Sequence, residues 1–93
     1  MDRETTDGRL DGNAAGGLLG AIFPFDMTVA KAVCDACGSS GQVATLSLYS
    51  DAPGIVLRCP GCEAVLLRVV EGRGRYWLDL RGLRSLELVE PTA

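Results

Sequence analysis

Four thiols are the groups in this chain best suited to chemistry. They form two Cys-x-x-Cys pairs, Cys34/Cys37 and Cys59/Cys62, in a sequence of 93 residues with no other cysteine and no histidine. Two close pairs with 21 residues between them can set four sulfurs around one tetrahedral ion, the ligand set of a closed four-cysteine zinc site. Each pair makes a tight turn whose sulfurs converge on the ion. A catalytic zinc keeps one position open for water, and four cysteines leave none. The chain therefore reads as a non-enzyme with a structural metal.

The turn residues fit that reading. Gly38 follows Cys37, where a positive φ is wanted, and Pro60-Gly61 gives the second pair a rigid and then a permissive position. Glu63 stands where many such turns have glycine, and Arg58 is placed to balance part of the −2 charge of a metal bound by four thiolates. Iron is the alternative metal, since tetrahedral sulfur coordination suits it too. The Cys59-Pro60-Gly61-Cys62 turn would fit a rubredoxin. Rubredoxins crowd aromatics around their iron, whereas only Tyr49 lies between the two pairs here. Zinc is the expected ion.

The elements that must carry these turns are short. Residues 1–10 are polar, without apolar period, and are expected to be disordered. Residues 11–27 form the expected N-terminal helical arm. In it Ala15, Leu18, Leu19, Ile22 and Phe23 recur at helical spacing from Asn13 to Phe23, with Asp11 or Asn13 as cap. Gly16, Gly17 and Gly20 weaken that helix by about 1 kcal/mol each, and Pro24 ends it. Residues 28–90 are expected to form a four-cysteine zinc-ribbon β domain. Extended segments are expected at 29–33, 42–49 and 55–58, the last two joined by a turn at Asp51-Ala52-Pro53-Gly54. A hairpin of 64–70 with 75–80 turns at Glu71-Gly72-Arg73-Gly74, and a last strand covers 85–89. Alternation along 75–80 puts Tyr76 and Trp77 on opposite faces, so one ring is expected in the core and one at the surface. The fold class is small and mainly β (α+β): a zinc-ribbon-like antiparallel sheet with a helical arm.

Composition limits the role. Ninety-three residues make one small domain whose apolar core is marginal, so a bound metal would supply much of its stability. The acidic start is unlike a secretory signal, and the longest apolar stretch, Ala14 to Phe25, is too short to span a bilayer. A cytoplasmic protein is expected, with thiols kept reduced rather than paired as disulfides. The net charge of −3 disfavours binding to phosphate backbones, although residues 58–84 carry a local +3. A protein partner is the expectation. Its contacts are placed on the apolar arm (Leu18, Leu19, Ile22, Phe23) and on the hairpin (Arg73, Arg75, Trp77). Gly16-x-x-x-Gly20 also suggests pairing with a second copy.

A set of local motifs extends this reading. Leu10-Asp11-Gly12-Asn13-Ala14, Phe25-Asp26-Met27-Thr28, Cys34-x-x-Cys37-Gly38, Ala52 through Cys62, and Trp77-Leu78-Asp79-Leu80-Arg81-Gly82 together resemble one bacterial family of small proteins. That family is classed as a domain of unknown function with zinc-ribbon-like knuckles of four cysteines. The resemblance runs from about residue 10 to residue 88. Its members tend to be encoded near molybdopterin oxidoreductases of the sulfite-oxidase type and flavin-dependent ferredoxin reductases. It therefore implies an accessory subunit of such an oxidoreductase. With iron in place of zinc it implies an electron carrier between the flavin reductase and the molybdopterin enzyme. The arginine hairpin leaves a nucleic-acid-binding ribbon as a third reading.

Overall fold

A computed structural model describes residues 9–51 and 54–90, which fold into two antiparallel sheets around one short α-helix. The larger sheet has the order β1-β4-β5-β6-β7, and the smaller has the order β3-β2-β8. Their strands are β1 (Arg9–Asp11), β2 (Lys31–Cys34), β3 (Ser40–Gln42), β4 (Ser47–Asp51), β5 (Gly54–Arg58), β6 (Val65–Gly72), β7 (Arg75–Asp79) and β8 (Leu83–Glu87). The mainly-β antiparallel class matches the expectation from sequence.

Several elements differ from their expected form. The disorder expected over residues 1–10 falls partly outside the described residues, while Arg9 and Leu10 pair with Tyr49 and Leu48 in the sheet. The predicted helix is a 3₁₀ turn, Gly12–Ala15, followed by α1, Gly16–Ile22. Its N-cap is Ala15, without a side-chain cap, and Phe23 closes it with its N–H on the Leu19 carbonyl at 2.9 Å. Only seven residues with three glycines among them cannot hold a helix alone. Packing holds it instead: Ala15 and Leu19 lie in one core with Met27, Val43, Leu57, Leu67 and Val69. The segment expected as an arm thus joins the core through Ala15, Leu19 and Met27.

The strand expected over residues 42–49 is broken. Val43–Thr45 forms a 3₁₀ turn that carries the chain from the small sheet to the large one. Thr45 donates its hydroxyl to the Gln42 carbonyl at 2.6 Å, and the Val43 N–H reaches the Ala30 carbonyl at 2.9 Å. The break lets Val43, Leu46 and Leu48 all be buried, which a regular alternation over those positions would not allow.

The α1 glycines divide by environment. A methyl at Gly16 would meet the Thr28 side chain at 3.2 Å, so this glycine faces inward. At Gly17 and Gly20 a methyl would meet nothing within 4 Å. The Gly16-x-x-x-Gly20 pair is therefore not one continuous seam for a second helix. Alanine at Gly17 or Gly20 is expected to stabilise the protein by about 1 kcal/mol per site, read as a rise in melting temperature.

Candidate metal centre

Each cysteine pair is entered through a register shift. The β2–β8 pairing slips between Val33 and Cys34, and the β5–β6 pairing slips between Leu57 and Arg58, just before Cys59. Such bulges bend a strand and re-aim its end. Both shifts turn the first cysteine of a pair inward. Cys34 and Cys59 are buried, while Cys37 and Cys62 stand at the surface.

The two turns then repeat one hydrogen-bond pattern. The Gly38 N–H donates to the Cys34 carbonyl at 2.9 Å, and the Glu63 N–H to the Cys59 carbonyl at 2.8 Å. The Cys34 N–H reaches the Ser39 carbonyl, and the Cys59 N–H the Ala64 carbonyl, both at 2.9 Å. Gly38 has φ +80° and Glu63 φ 68°. Glutamate thus takes the left-handed conformation that glycine has in the first turn, at a cost of about 1–2 kcal/mol. Arg58 holds it there, donating to the Glu63 carbonyl at 2.9 Å with its guanidinium 5.6 Å from the Tyr49 ring centre. A matching arginine serves the first turn: Arg84 donates to the Asp35 carbonyl at 3.3 Å and to its carboxylate at 3.4 Å. The sequence pointed to Arg58; Arg84, far along the chain from the cysteines, carried no signal of this role.

All four sulfurs lie within 4.8 Å of one another. The Cys34–Cys62 and Cys37–Cys59 sulfurs are 3.7 Å apart. A tetrahedral ion with metal–sulfur bonds near 2.3 Å has sulfur–sulfur edges of about 3.8 Å. Disulfides, at about 2.05 Å, are excluded for these sulfurs as placed. The cluster can hold one metal ion, with two ligands from the small-sheet turn and two from the β5–β6 turn. The site is therefore a junction between the sheets.

Ser39 is a further residue of this centre. Its hydroxyl lies 3.1 Å from the Cys37 sulfur and 3.4 Å from that of Cys59. That hydrogen bond, with the Cys62 and Gly61 amides, brings Cys59 down to about 6, and the same hydroxyl lowers Cys37. The Ala64 amide pulls Cys62 down, but burial and the three facing thiols outweigh it and push Cys62 up to about 12. In metal-free protein at neutral pH the exposed Cys37 is therefore expected to react with iodoacetamide well before Cys62, which is also exposed. Peptide mapping by mass spectrometry measures the order, and Ser39→Ala should slow Cys37 relative to Cys62. Equal rates at both cysteines would contradict this ordering.

The residues expected to contact a partner fall on two separate elements. Leu19 is 0 % exposed, so it is a core residue and not a contact. Leu18, Ile22 and Phe23 are half-buried against the same core. Arg73 lies in the β6–β7 turn, and Arg75 and Trp77 are exposed on β7. Neither ring of the Tyr76-Trp77 pair enters the core: they are 38 % and 54 % exposed. Among the described residues β7 is the outermost strand on its side of the sheet, and both rings stay at the surface.

The chain's sequence pattern matches that of a family of unknown function, DUF6510, over residues 4–91. The chain belongs to this family. No curated protein and no solved structure matches it. This DUF6510 chain places a four-cysteine cluster at the seam of its two sheets, and among its described residues no helix is long and apolar enough to cross a membrane.

Proposed function

We propose that this DUF6510 protein is a non-catalytic accessory protein that uses a structural zinc ion to present a rigid surface to a partner protein in the cytoplasm. The observation that supports the zinc is the set of four converging sulfurs with 3.7 Å edges. An all-cysteine set fills every position of a tetrahedral ion, so none remains for water or substrate. The ion's chemistry is then to neutralise and cross-link, and the reading assigns the protein no reaction of its own.

The partner-binding surface of this reading is the β6–β7 hairpin. Trp77, Leu78, Leu80, Arg68 and Arg81 surround a shallow groove of about 480 Å³ on its side. Exposed tryptophan beside arginine is the composition of a protein-interface hot spot. The family resemblance suggests an oxidoreductase subunit as the partner. Affinity capture of tagged protein from the native host, with metal analysis of the same eluate, tests both halves. One zinc per chain and a stoichiometric partner lost on Trp77→Ala would support the reading. Specific enrichment of nucleic acid, released by salt, would replace it.

A second reading draws on the exposure of Cys37 and Cys62. An iron ion in this site would have two ligands at the surface, where an electron can pass to a docked flavoprotein or molybdopterin enzyme. Such protein would be red as isolated and would bleach on reduction, whereas the zinc form is colourless.

A further inference from the structure

The outer edge of the large sheet is formed by β7, and among the described residues β7 pairs with β6 alone. Arg73 and Gly74, with φ 54° and 73°, form the two-residue turn between these strands. Two positive φ values mark a type I′ turn, whose flanking residues, here Gly72 and Arg75, exchange both backbone hydrogen bonds. The ladder alternates from that pair, so Arg75, Trp77 and Asp79 direct their backbone groups at β6. Tyr76 and Leu78 then direct their N–H and C=O groups outward, away from the sheet.

Natural edges are commonly shielded by proline, lysine or a covering loop. This one is instead apolar on both sides, with Tyr76, Trp77 and Leu78 all at least 38 % exposed. Its two charges are arranged symmetrically about Trp77: Arg75 lies two residues before it and Asp79 two residues after. Asp79 already binds Arg81 at 2.7 Å and is itself 38 % exposed, which leaves its carboxylate lone pairs for another guanidinium.

We propose that the protein forms a two-fold dimer by antiparallel pairing of β7 with β7 of a second copy, centred on Trp77. In this register Tyr76 of each copy faces Leu78 of the other. Their outward groups make four backbone hydrogen bonds. The two Trp77 residues meet at the axis as a close, non-hydrogen-bonded pair. Arg75 of each copy faces Asp79 of the other, twice over. Sliding the centre to Leu78 sets Arg75 against Arg81 of the second copy, and parallel pairing sets like charges side by side. The edge charges therefore exclude those two alternatives and permit this one. The pairing joins two five-stranded sheets into one; it shares Trp77 with the adaptor reading, and swaps at Arg75 and Asp79 test self-association while leaving that residue in place.

Five-residue strands make a small interface, so a dissociation constant on the order of 10–100 µM is expected. Sedimentation velocity of the full zinc-loaded chain from about 1 µM to 1 mM measures it. Trp77, the single tryptophan, should shift its emission to the blue over the same range. R75D places aspartate against Asp79, and D79R places arginine against Arg75. Each alone should weaken the dimer at least tenfold, while an equimolar mixture of the two variants should associate again as a heterodimer. Circular dichroism and one zinc per chain establish that both variants fold. A chain that stays monomeric at 1 mM overturns the proposal. So does a dimer that tolerates both single swaps, because another face would then be joining the copies.

Discussion

Chelating the metal from zinc-loaded protein at neutral pH will lower its melting temperature by roughly 20 °C or more. Two cysteines of the site come from the end of β2 and the turn after it, and two from the turn between β5 and β6, so a bound ion would cross-link the sheets. Metal binding in small zinc domains is worth about 10–16 kcal/mol at neutral pH, comparable with the 5–15 kcal/mol stability of a whole domain. Without the ion four crowded thiols remain, and the small sheet keeps little else. Its three strands are four, three and five residues long. The expected intermediate has local structure lost over β2, β3 and β8. Strands β4, β5 and β6 should persist, because Leu57, Leu67 and Val69 are buried among themselves and the helix. Cys34→Ser should act in the same direction as the chelator. Amide spectra with and without metal check the order, and an apo-protein with unchanged spectrum and melting point would show that the site is not a structural one.

Replacing Gly82 by alanine will destabilise the protein by about 3 kcal/mol or more, at the upper end of overpacking effects. A methyl at Gly82 would overlap the backbone carbonyl of Val65 and press on the Leu66 Cα at 2.7 Å. These are backbone atoms of β6 and cannot rotate aside. The Gly82 carbonyl meanwhile accepts the Asp35 N–H at 3.0 Å, beside the first cysteine turn. One residue therefore sets how closely β8 passes the start of β6 and holds the knuckle to that crossing. Gly82→Ala should lower metal affinity as well as melting temperature, measured by competition with a chromophoric chelator. A control comes from Gly17→Ala, where a methyl meets nothing and the sign reverses.

Local chemistry was legible in the chain wherever a residue type acts within a few positions. The two cysteine turns, the positive φ at Gly38, the helix stop before Pro24 and the Gly72–Arg75 hairpin all depend on neighbours close in sequence. Strand positions were read to within a few residues for β5, β6 and β7. The break at Val43–Thr45 was not visible, because alternation there is produced equally by one strand or by a crossing between sheets. Tyr76 and Trp77 misled for a related reason. Periodicity tells which side chains share a face, but not whether anything lies against that face. Leu19 fits an interface stripe and a core stripe equally well by spacing, and only its complete burial separates the two.

The sequence alone determined that four cysteines would gather into one cluster able to hold an ion, since spacing and turn residues fix each pair's geometry over a few bonds. It also determined an antiparallel, mainly-β chain with one glycine-weakened helix. The tertiary structure decided that the pairs belong to different sheets, that Arg84 and Ser39 serve the site, and that β7 is left as an open edge. Those outcomes depend on long-range pairings such as β2 with β8, which lie about fifty residues apart and are chosen by the packing of the whole core.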